Sequence, residues 1–345
     1  MKLLLSLFTL LSFSAFNQDT ITTIAFGSCG HQDKPLTIYQ TIVAHQPDLF
    51  IFLGDNIYAD TKDMKVMRKK YKKLANNSNY QLLKESTPII ATWDDHDYGL
   101  NDVGRHYTRK VSSKRIFLKF INEPKKSFRY KHEGIYTSYN YTVNGKKLQI
   151  ILLDLRTFRD DLVPYDGALK ADSNYSYHLD YSPQLSADST MLGKEQWAWL
   201  KNELSQPADV RIIGSSTQFA TQYNGYETWA NFPSEQEKMF QLIKETKANG
   251  VVFISGDVHY SELSKMETPT TPYPIYDLTS SGLTEEWKFA TPNNYRIGNP
   301  VMNNHFGMLT IDWNKAFPEV RMEIWDSNNQ MRILQTLSME QLQVP

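Results

Sequence analysis

The sequence contains a single cysteine, Cys29, among 345 residues. An internal disulfide is therefore impossible, and the hydrophobic core must stabilise the fold. An excess of charge is also absent, because 37 lysines and arginines nearly balance 38 aspartates and glutamates. This balance gives no indication of the basic surface that is typical of nucleic-acid-binding proteins. The sequence has neither an internal repeat nor a low-complexity tract, and its composition is that of an ordinary globular protein.

Long hydrophobic runs are absent beyond the N-terminus. The first twenty residues combine a positive charge at Lys2, an apolar stretch from Leu3 to Leu11 and small residues up to Ala15. This pattern is typical of a removable secretory signal and is too short for a good membrane span. A buried first strand or a retained anchor is the alternative. We therefore predict a signal peptide over residues 1–17, a periplasmic or secreted location, and a mature chain without a membrane span.

Short apolar runs alternate with amphipathic stretches along the chain. Near-continuous apolar runs suit central strands that are covered on both faces, and strands alternating with helices indicate a layered α/β domain. The predicted strands are Thr22–Phe26, Leu49–Leu53, Ile89–Trp93, Leu148–Leu153, Val210–Gly214 and Val251–Ser255. The predicted helices are Leu36–His45, Met64–Leu74, Lys110–Phe120, Lys194–Leu204 and Ser234–Asn249.

The C-terminal part of the chain is expected to extend this domain. Three further strands are predicted at residues 275–278, 307–313 and 320–325, as antiparallel additions to a second sheet. The helix at 234–249 begins Ser234-Glu235-Gln236-Glu237, which is a capping-box pattern. Residues 18–345 are thus predicted to form a single domain.

Two segments are expected to elaborate this domain. The basic and aromatic residues at about 98–145 are predicted to form an insertion on the core. Residues 160–192 are predicted to form a long functional loop, because long structureless loops in compact enzymes are usually functional or mobile.

Polar clusters follow four of the predicted strands. Residues beyond the carboxyl ends of strands in an α/β sheet converge on a common crevice. So many carboxylates would repel one another unless a multivalent cation neutralised them. Oxygen ligands suit calcium, magnesium or manganese, whereas thiolate and imidazole favour iron or zinc. The clusters are Gly27-Ser28-Cys29-Gly30-His31, Gly54-Asp55-Asn56-Ile57-Tyr58, Asp94-Asp95-His96-Asp97 and Gly256-Asp257-Val258-His259.

Each cluster alone also has an ordinary structural interpretation, such as a turn, a solvated acidic loop or a buried thiol. Together and in this order they resemble the PhoD-type alkaline phosphatase D family of calcineurin-like metallophosphoesterases. The likeness runs from about residue 22 to about residue 285. It implies a four-layer α/β/β/α sandwich with two mixed sheets. Supporting segments are Leu153-Asp-Leu-Arg156, Leu192-Gly-Lys-Glu-Gln-Trp197 and Ser215-Ser-Thr-Gln218.

The resemblance also implies metal ligands. Asp55 would bridge two metals, and Cys29, Tyr58 and His259 would complete an iron site. Asp95 and Asp257 stand where related enzymes place neutral ligands, so the second site should prefer calcium. The implied cofactors are therefore ferric iron and calcium, with zinc, manganese or magnesium as alternatives.

The resemblance further implies substrate contacts. His96 would contact the phosphoryl oxygen or protonate the leaving group, and Asp55 would act in catalysis through the metals it bridges. Arg156 is predicted to contact phosphate, with a structural ion pair as the open alternative. Asp94 and Asp97 would orient His96 or a metal ligand. The candidate substrate-binding residues are Asn56, His31 and Gln218.

The implied reaction is hydrolysis of a small phosphate monoester or diester by a metal-activated hydroxide. A metal-stabilised binding protein and a sulfate-ester hydrolase are the alternatives. A serine hydrolase built on Ser28 is disfavoured, because Gly-Ser-Cys-Gly lacks the Gly-x-Ser-x-Gly elbow. Scattered aromatic residues would either line a leaving-group pocket or belong to the core; they are Tyr98, Tyr165, Tyr223, Trp229 and Trp287.

Overall fold

The computed structural model describes residues 21–167 and 177–345. The predicted signal peptide at 1–17 lies outside these residues. None of the helices in the two described ranges is both long and apolar enough to cross a membrane.

The elements alternate along the chain largely as predicted. The strands are β1 (Thr23–Gly27), β2 (Leu49–Leu53), β3 (Ile89–Thr92), β4 (Thr137–Val143), β5 (Lys146–Leu152), β6 (Val163–Pro164), β7 (Tyr181–Ser182), β8 (Val210–Ser215), β9 (Val251–Ser255), β10 (Ser261–Met266), β11 (Ile275–Ser280), β12 (Arg296–Val301), β13 (His305–Asp312), β14 (Glu319–Asp326) and β15 (Met331–Ser338). The helices are α1 (Ile38–Ala44), α2 (Met64–Ala75), α3 (Ser78–Ser86), α4 (Asp95–Tyr98), α5 (Lys110–Phe120), α6 (Gly193–Leu204) and α7 (Pro233–Glu245).

The first sheet has the strand order β15-β14-β13-β1-β2-β3. Strands β1, β2 and β3 run parallel, and the meander β13–β15 continues the sheet antiparallel from the other side of β1. The last two predicted strands, at 307–313 and 320–325, therefore join the sheet that contains β1. Their assignment to a second sheet was wrong. Strand β1 leaves one edge free after pairing with β2, and the antiparallel strand β13 occupies that edge.

The second sheet has the order β12-β10-β11-β9-β8-β5-β4. Strands β5, β8, β9 and β11 are parallel. Strand β11 was predicted as an antiparallel addition, but it pairs parallel with β9, because β10 intervenes in the chain and reverses its direction. The segment predicted as an insertion at 98–145 contains α5 and ends in β4, which forms the edge of this sheet against β5.

Alternating side chains place the first sheet between two apolar layers. Ile24 and Ile51 face the core that is shared with the second sheet, whereas Ala25 and Phe50 contribute to a separate core beneath α1, α2, α3 and α5. Apolar residues of α6 and α7 belong to the same hydrophobic cluster as the second sheet. Two mixed sheets between helical layers form an α/β/β/α sandwich, as predicted.

Helix α7 begins one residue earlier than expected, at Pro233, and residue Phe232 caps it without a side-chain hydrogen bond. The predicted capping box is therefore absent. Proline suits the first helical position because its missing N–H would lack a partner there anyway. Glu235 accepts hydrogen bonds instead from the backbone of Met191 and the indole of Trp197, and so joins α7 to α6.

Candidate metal centre

Four loops that carry the predicted ligands meet at the carboxyl ends of β1, β2, β3 and β9. Two of these loops touch closely: Gly54 has a φ of +115°, and a Cβ there would lie 2.5 Å from the Cβ of Asp94. Four of the predicted ligands adopt left-handed backbone conformations, which non-glycine residues rarely do and which concentrate at functional sites. They are Cys29, Asp55, Asp257 and His259, with φ values of 62°, 50°, 80° and 57°.

Among the described residues, three overlapping groups of side chains bring ligand atoms within 4.8 Å of one another. The groups are Cys29, Asp55 and His259; Asp55, Asp95 and His96; and Asp94, Asp95 and Asp257. Asp55 is common to the first two groups, and Asp95 to the last two. The shared residues link the three groups into one row of ligand atoms. The first group contains the thiol, and the last contains only carboxylates.

The end of the row that contains the thiol also holds a phenol. The hydroxyl of Tyr58 lies 3.0 Å from Nε2 of His259. The Cys29 Sγ lies 3.4 Å from Oδ2 of Asp55 and 3.3 Å from the hydroxyl of Ser281. Ser281 also accepts a 2.7 Å hydrogen bond from the backbone N–H of His259. One serine thus ties together two of the predicted ligands.

Burial without a cation disfavours charge on this row. Burial, with a smaller contribution from Asp55, raises the pKa of the Cys29 thiol well above its usual range. Burial also raises the pKa of Asp55, reinforced by the charge of Asp95. Burial likewise raises the pKa of Asp257 and of the Tyr58 phenol, and lowers the pKa of His259 to about 4. A bound cation would reverse the shifts of the thiol, the phenol and the carboxylates, because it stabilises their anionic forms, and it would favour the neutral imidazole of His259 further.

Unsatisfied carboxylate oxygens test whether metal ions fit here. Oδ1 of Asp55 and Oδ2 of Asp94 are buried and have no hydrogen-bond donor, and Oδ1 of Asp95 has only the Nη2 of Arg156 at 3.5 Å. Buried carboxylate oxygens are normally hydrogen-bonded, paired or bound to metal. The donor set of one thiol, one phenol, imidazoles and carboxylates fits metal ions, with softer ligands at one end and oxygen ligands at the other.

His96 belongs to the second ligand group, and a residue that the sequence did not indicate positions it. Its Nδ1 lies 2.7 Å from Oδ1 of Asp60, and its ring packs on Tyr58 with centroids 4.3 Å apart. Burial lowers the pKa of His96, but the hydrogen bond to Asp60 and the charges of Asp55 and Asp95 outweigh burial and raise it to about 11. The Asp60 carboxylate therefore favours the protonated form of His96 and fixes the orientation of its ring.

The PhoD-like phosphatase family model matches residues 24–293 of this chain. The chain belongs to this family. Alkaline phosphatase D of Bacillus subtilis (strain 168) is 25% identical over 286 residues, covering 71% of this chain and 47% of that protein. The chain therefore spans about half the length of this curated relative.

Solved structures support the fold of this PhoD-like chain. A structure of PhoD superposes with a TM-score of 0.64 and 17% identity, covering 92% of this chain and 71% of that one. GAP50, described as the anchor in the inner membrane complex of Plasmodium, gives a TM-score of 0.55 and 14% identity, covering 92% and 89%. At these identities the two structures show a shared fold.

Arg156 lies behind the acidic end of the row. It is fully buried, its Nε donates to Asp94 over 2.5 Å, and its Nη1 donates to Glu227 over 2.8 Å. Its Nη2 lies 3.5 Å from Asp95. Burial opposes ionisation of Asp95, but Arg156 and His96 outweigh burial and lower the pKa of Asp95. These contacts favour the ion pair that the sequence analysis left open, because carboxylates surround the guanidinium.

Glu227 is a member of the site that the sequence did not reveal. It is buried on the loop after β8 and pairs with both Arg156 and Arg159. A lone glutamate between Tyr226 and Thr228 carries no motif, so only its three-dimensional partners identify it. Ser216 lies in the supporting segment Ser215–Gln218 but had no predicted role; its hydroxyl donates a 2.7 Å hydrogen bond to Asp94.

The remaining predicted residues take three different positions. His31 stacks on the face of Tyr58, with centroids 4.7 Å apart, and lies at the edge of the site. Asn56 is buried, and its amide donates to Asp97 and to the backbone of Thr92. Asp97 also accepts from the backbone N–H of Asp94, so it connects the loops after β2 and β3.

Gln218 lies in another polar network. Its amide donates to Glu262 over 2.8 Å and to Thr279 over 3.1 Å. Neither of these partners belongs to the three ligand groups.

Proposed function

We propose that this chain is an exported, metal-dependent phosphoesterase that hydrolyses small phosphate monoesters or diesters. The observation that carries the proposal is the row of buried ligand atoms with donor-free carboxylate oxygens, with His96 in the same group and held by Asp60. Membership of the PhoD-like phosphatase family supports the same chemistry. The pattern at residues 1–17, which is typical of a removable secretory signal, supports export.

The proposed metals are iron and calcium. Cys29, Tyr58, His259 and Asp55 would hold the iron, and Asp95, Asp257 and Asp55 would hold the calcium, with Asp94 adjacent to them. Metal ions bound here would supply Lewis-acid activation of water and neutralise charge on the phosphoryl oxygens. Zinc, manganese and magnesium are the alternative ions.

The chain's own residues would position and protonate the ester. His96 would hydrogen-bond the ester oxygen through Nε2 and donate the proton to the departing alkoxide. Asp60 would hold the opposite ring nitrogen and so orient Nε2. Arg156 would act as a positioning residue, because its ion pairs with Asp94 and Asp95 favour the ionised carboxylates. His31 would contact the substrate from the exposed edge of Tyr58.

The test is hydrolysis of a bis-aryl phosphodiester and of the matching monoester by the purified chain, before and after chelation, with metal analysis of the same sample. Turnover that chelation removes and metal restores would support the proposal and reveal the preferred ester class. Bound metal without turnover on either ester would contradict it. That outcome would favour a non-catalytic role, which the description of the Plasmodium protein as an anchor makes relevant for this fold.

A matched pair of variants tests the proposed iron site. Cys29→Ser removes the thiolate, whereas Ser281→Ala removes only the hydroxyl that lies 3.3 Å from it. We expect Cys29→Ser to lose iron and most activity, and Ser281→Ala to retain iron. Full iron content in Cys29→Ser would show that the thiol is not a ligand.

A further inference from the structure

A row of four aromatic side chains lies beside the metal centre on loops. Phe289 and Tyr177 have ring centroids 5.3 Å apart, Tyr177 and Tyr226 lie parallel at 6.2 Å, and Tyr226 meets Trp287 edge-on at 5.0 Å. We call these four residues the aromatic wall. They come from three separate segments of the chain, so only the tertiary fold brings them together.

The aromatic wall is not part of the hydrophobic core. None of its four residues belongs to either of the two core clusters formed by the described residues. Phe289 is 39% exposed, and the other three rings are partly exposed. Aromatic rings that serve only packing are expected to be buried. Partly exposed rings grouped on loops are typical of ligand-binding surfaces.

The aromatic wall is attached directly to the catalytic region at two points. The backbone N–H of Trp287 donates a 3.0 Å hydrogen bond to the carbonyl of His259, a predicted metal ligand. Tyr226 immediately precedes Glu227, which pairs with Arg156 behind Asp94 and Asp95. These two connections place Trp287 next to His259 and Tyr226 next to Glu227, so an ester whose phosphate is bound at the metal centre would have these two residues nearby.

A buried asparagine holds the aromatic wall in place. The carbonyl of Asn224 accepts from the hydroxyl of Tyr177 over 2.8 Å, and its side chain accepts from the backbone N–H of Tyr226 over 3.0 Å. Its amide also donates to Thr291, just beyond Phe289. Asn224 thus joins all three segments. Rings preorganised in this way bind a planar group with little loss of conformational entropy.

We propose that the aromatic wall is a binding subsite for a planar aromatic group on the ester, so that aryl phosphate esters are preferred over alkyl esters. The proposal deepens the phosphoesterase function and rests on it for its kinetic test. Stacking of an aromatic group on such rings typically contributes enough binding free energy to change affinity about tenfold.

The kinetic test compares an aryl phosphodiester with a polyfluoroalkyl phosphodiester of matched leaving-group acidity, so that chemical reactivity is equal. We expect Trp287→Leu and Tyr226→Leu to lower the aryl-to-alkyl ratio of kcat/KM about tenfold, mainly through KM for the aryl ester. The control is Trp199→Leu, because Trp199 lies on α6 and packs against Tyr136. This control should leave the ratio unchanged.

The outcomes separate the subsite from the catalytic proposal. An equal fall for both esters would overturn the subsite, because it would mean that Trp287 only supports His259. A larger fall for a long-chain alkyl ester would also overturn it and assign the wall to an apolar chain. If the two variants hydrolyse both esters with an unchanged aryl-to-alkyl ratio, the proposed phosphoesterase function would stand and the subsite would be refuted.

A binding measurement does not depend on turnover. Phenylphosphonate should bind the metal-loaded chain about tenfold more tightly than methylphosphonate, and Trp287→Leu should abolish that difference. This result without hydrolysis of any ester would support the subsite while contradicting the proposed function. Equal affinity of the two phosphonates for the unmodified chain would overturn the subsite.

Discussion

Two buried aspartates, each just after a strand of a different sheet, differ in what surrounds them. Asp154, after β5, accepts hydrogen bonds from the Trp93 indole, from two backbone N–H groups on one oxygen, and from Ile135 and Thr157 on the other. Asp55, after β2, has one weak thiol contact, and its Oδ1 has no donor. We call Asp154 satisfied, because both of its carboxylate oxygens have donors, and Asp55 incomplete, because one of its oxygens has none.

This difference separates a structural carboxylate from a proposed functional one. A buried charge is stabilised only by enough donors or an opposite charge. Asp154 has its donors within the chain and needs no external partner. Asp55 has neighbouring carboxylates instead, and its pKa is raised by burial and by Asp95. A cation from solution is the simplest partner that would complete it.

The largest expected effect is on the incomplete aspartate. Asp55→Asn should lower hydrolysis on the order of 10³-fold, because it removes the carboxylate shared by two ligand groups. The same change should stabilise the chelated protein against unfolding, since it removes an uncompensated buried charge. Rates and denaturant midpoints would be measured on one preparation. A destabilised chelated variant would contradict the comparison.

The satisfied aspartate should give the opposite pattern. Asp154→Asn places an amide among groups that all donate, and should reduce the free energy of unfolding by about 3 kcal/mol. Hydrolysis per folded molecule should fall far less than in Asp55→Asn. Urea titration with and without chelator measures the stability. An unchanged midpoint would show that these hydrogen bonds contribute little.

A satisfied buried histidine extends the comparison to pH. His305 donates from Nδ1 to the carbonyl of Asn303, and its Nε2 accepts from the N–H of Ser281. Burial lowers its pKa to about 4 from 6.5. The unfolded chain therefore binds a proton at higher pH than the folded chain does, and stability falls as pH drops through this range.

Between pH 7 and pH 5, His305 takes up a proton in the unfolded chain but not in the folded chain. This difference should lower the free energy of unfolding by about 2 kcal/mol. The control is His305→Gln, which keeps a donor and an acceptor but does not titrate. Its stability should depend less on pH over the same interval, by about that amount. Identical pH dependence in the two proteins would mean that His305 becomes protonated within the folded chain at little cost.

The smallest effect is expected at an exposed carboxylate. Asp60 is 42% exposed and lies 2.7 Å from His96. Asp60→Asn should lower kcat about tenfold with KM unchanged, because it disturbs the orientation of His96 without removing it. Asp161→Asn is the matched control, since Asp161 pairs with His106 at 2.8 Å on the surface. Equal effects of both changes would refute a specific role for Asp60.

Most elements that frame the site were predictable from sequence. Strands β2 and β9 have the predicted bounds, because their residues are apolar except Ser255 at the end of β9, and polar loops follow at once. The last two predicted C-terminal strands were located correctly but assigned to the wrong sheet. Apolar periodicity reports burial within a strand, whereas the choice of neighbour depends on which sheet edges remain free.

For the candidate site, the sequence indicated the loops that carry the proposed ligands. The four loop motifs placed the row of ligand atoms, since parallel strands deliver their following loops to one edge. The partners of those ligands were not predictable. Asp60 and Glu227 carry no motif, and Ser216 lies in a supporting segment but had no assigned role; the roles of all three depend on contacts formed in three dimensions. Ser216 donates to Asp94 from 122 positions away along the chain.

The sequence by itself determined the family, the layered α/β class and the loops that hold the candidate ligands, because these depend on residue types and local periodicity. The tertiary structure alone decided which carboxylates are satisfied. Asp154 and Asp55 both follow an apolar strand, yet donors from distant segments surround only one of them. Whether a buried charge is complete depends on neighbours in space, and local sequence does not contain that information.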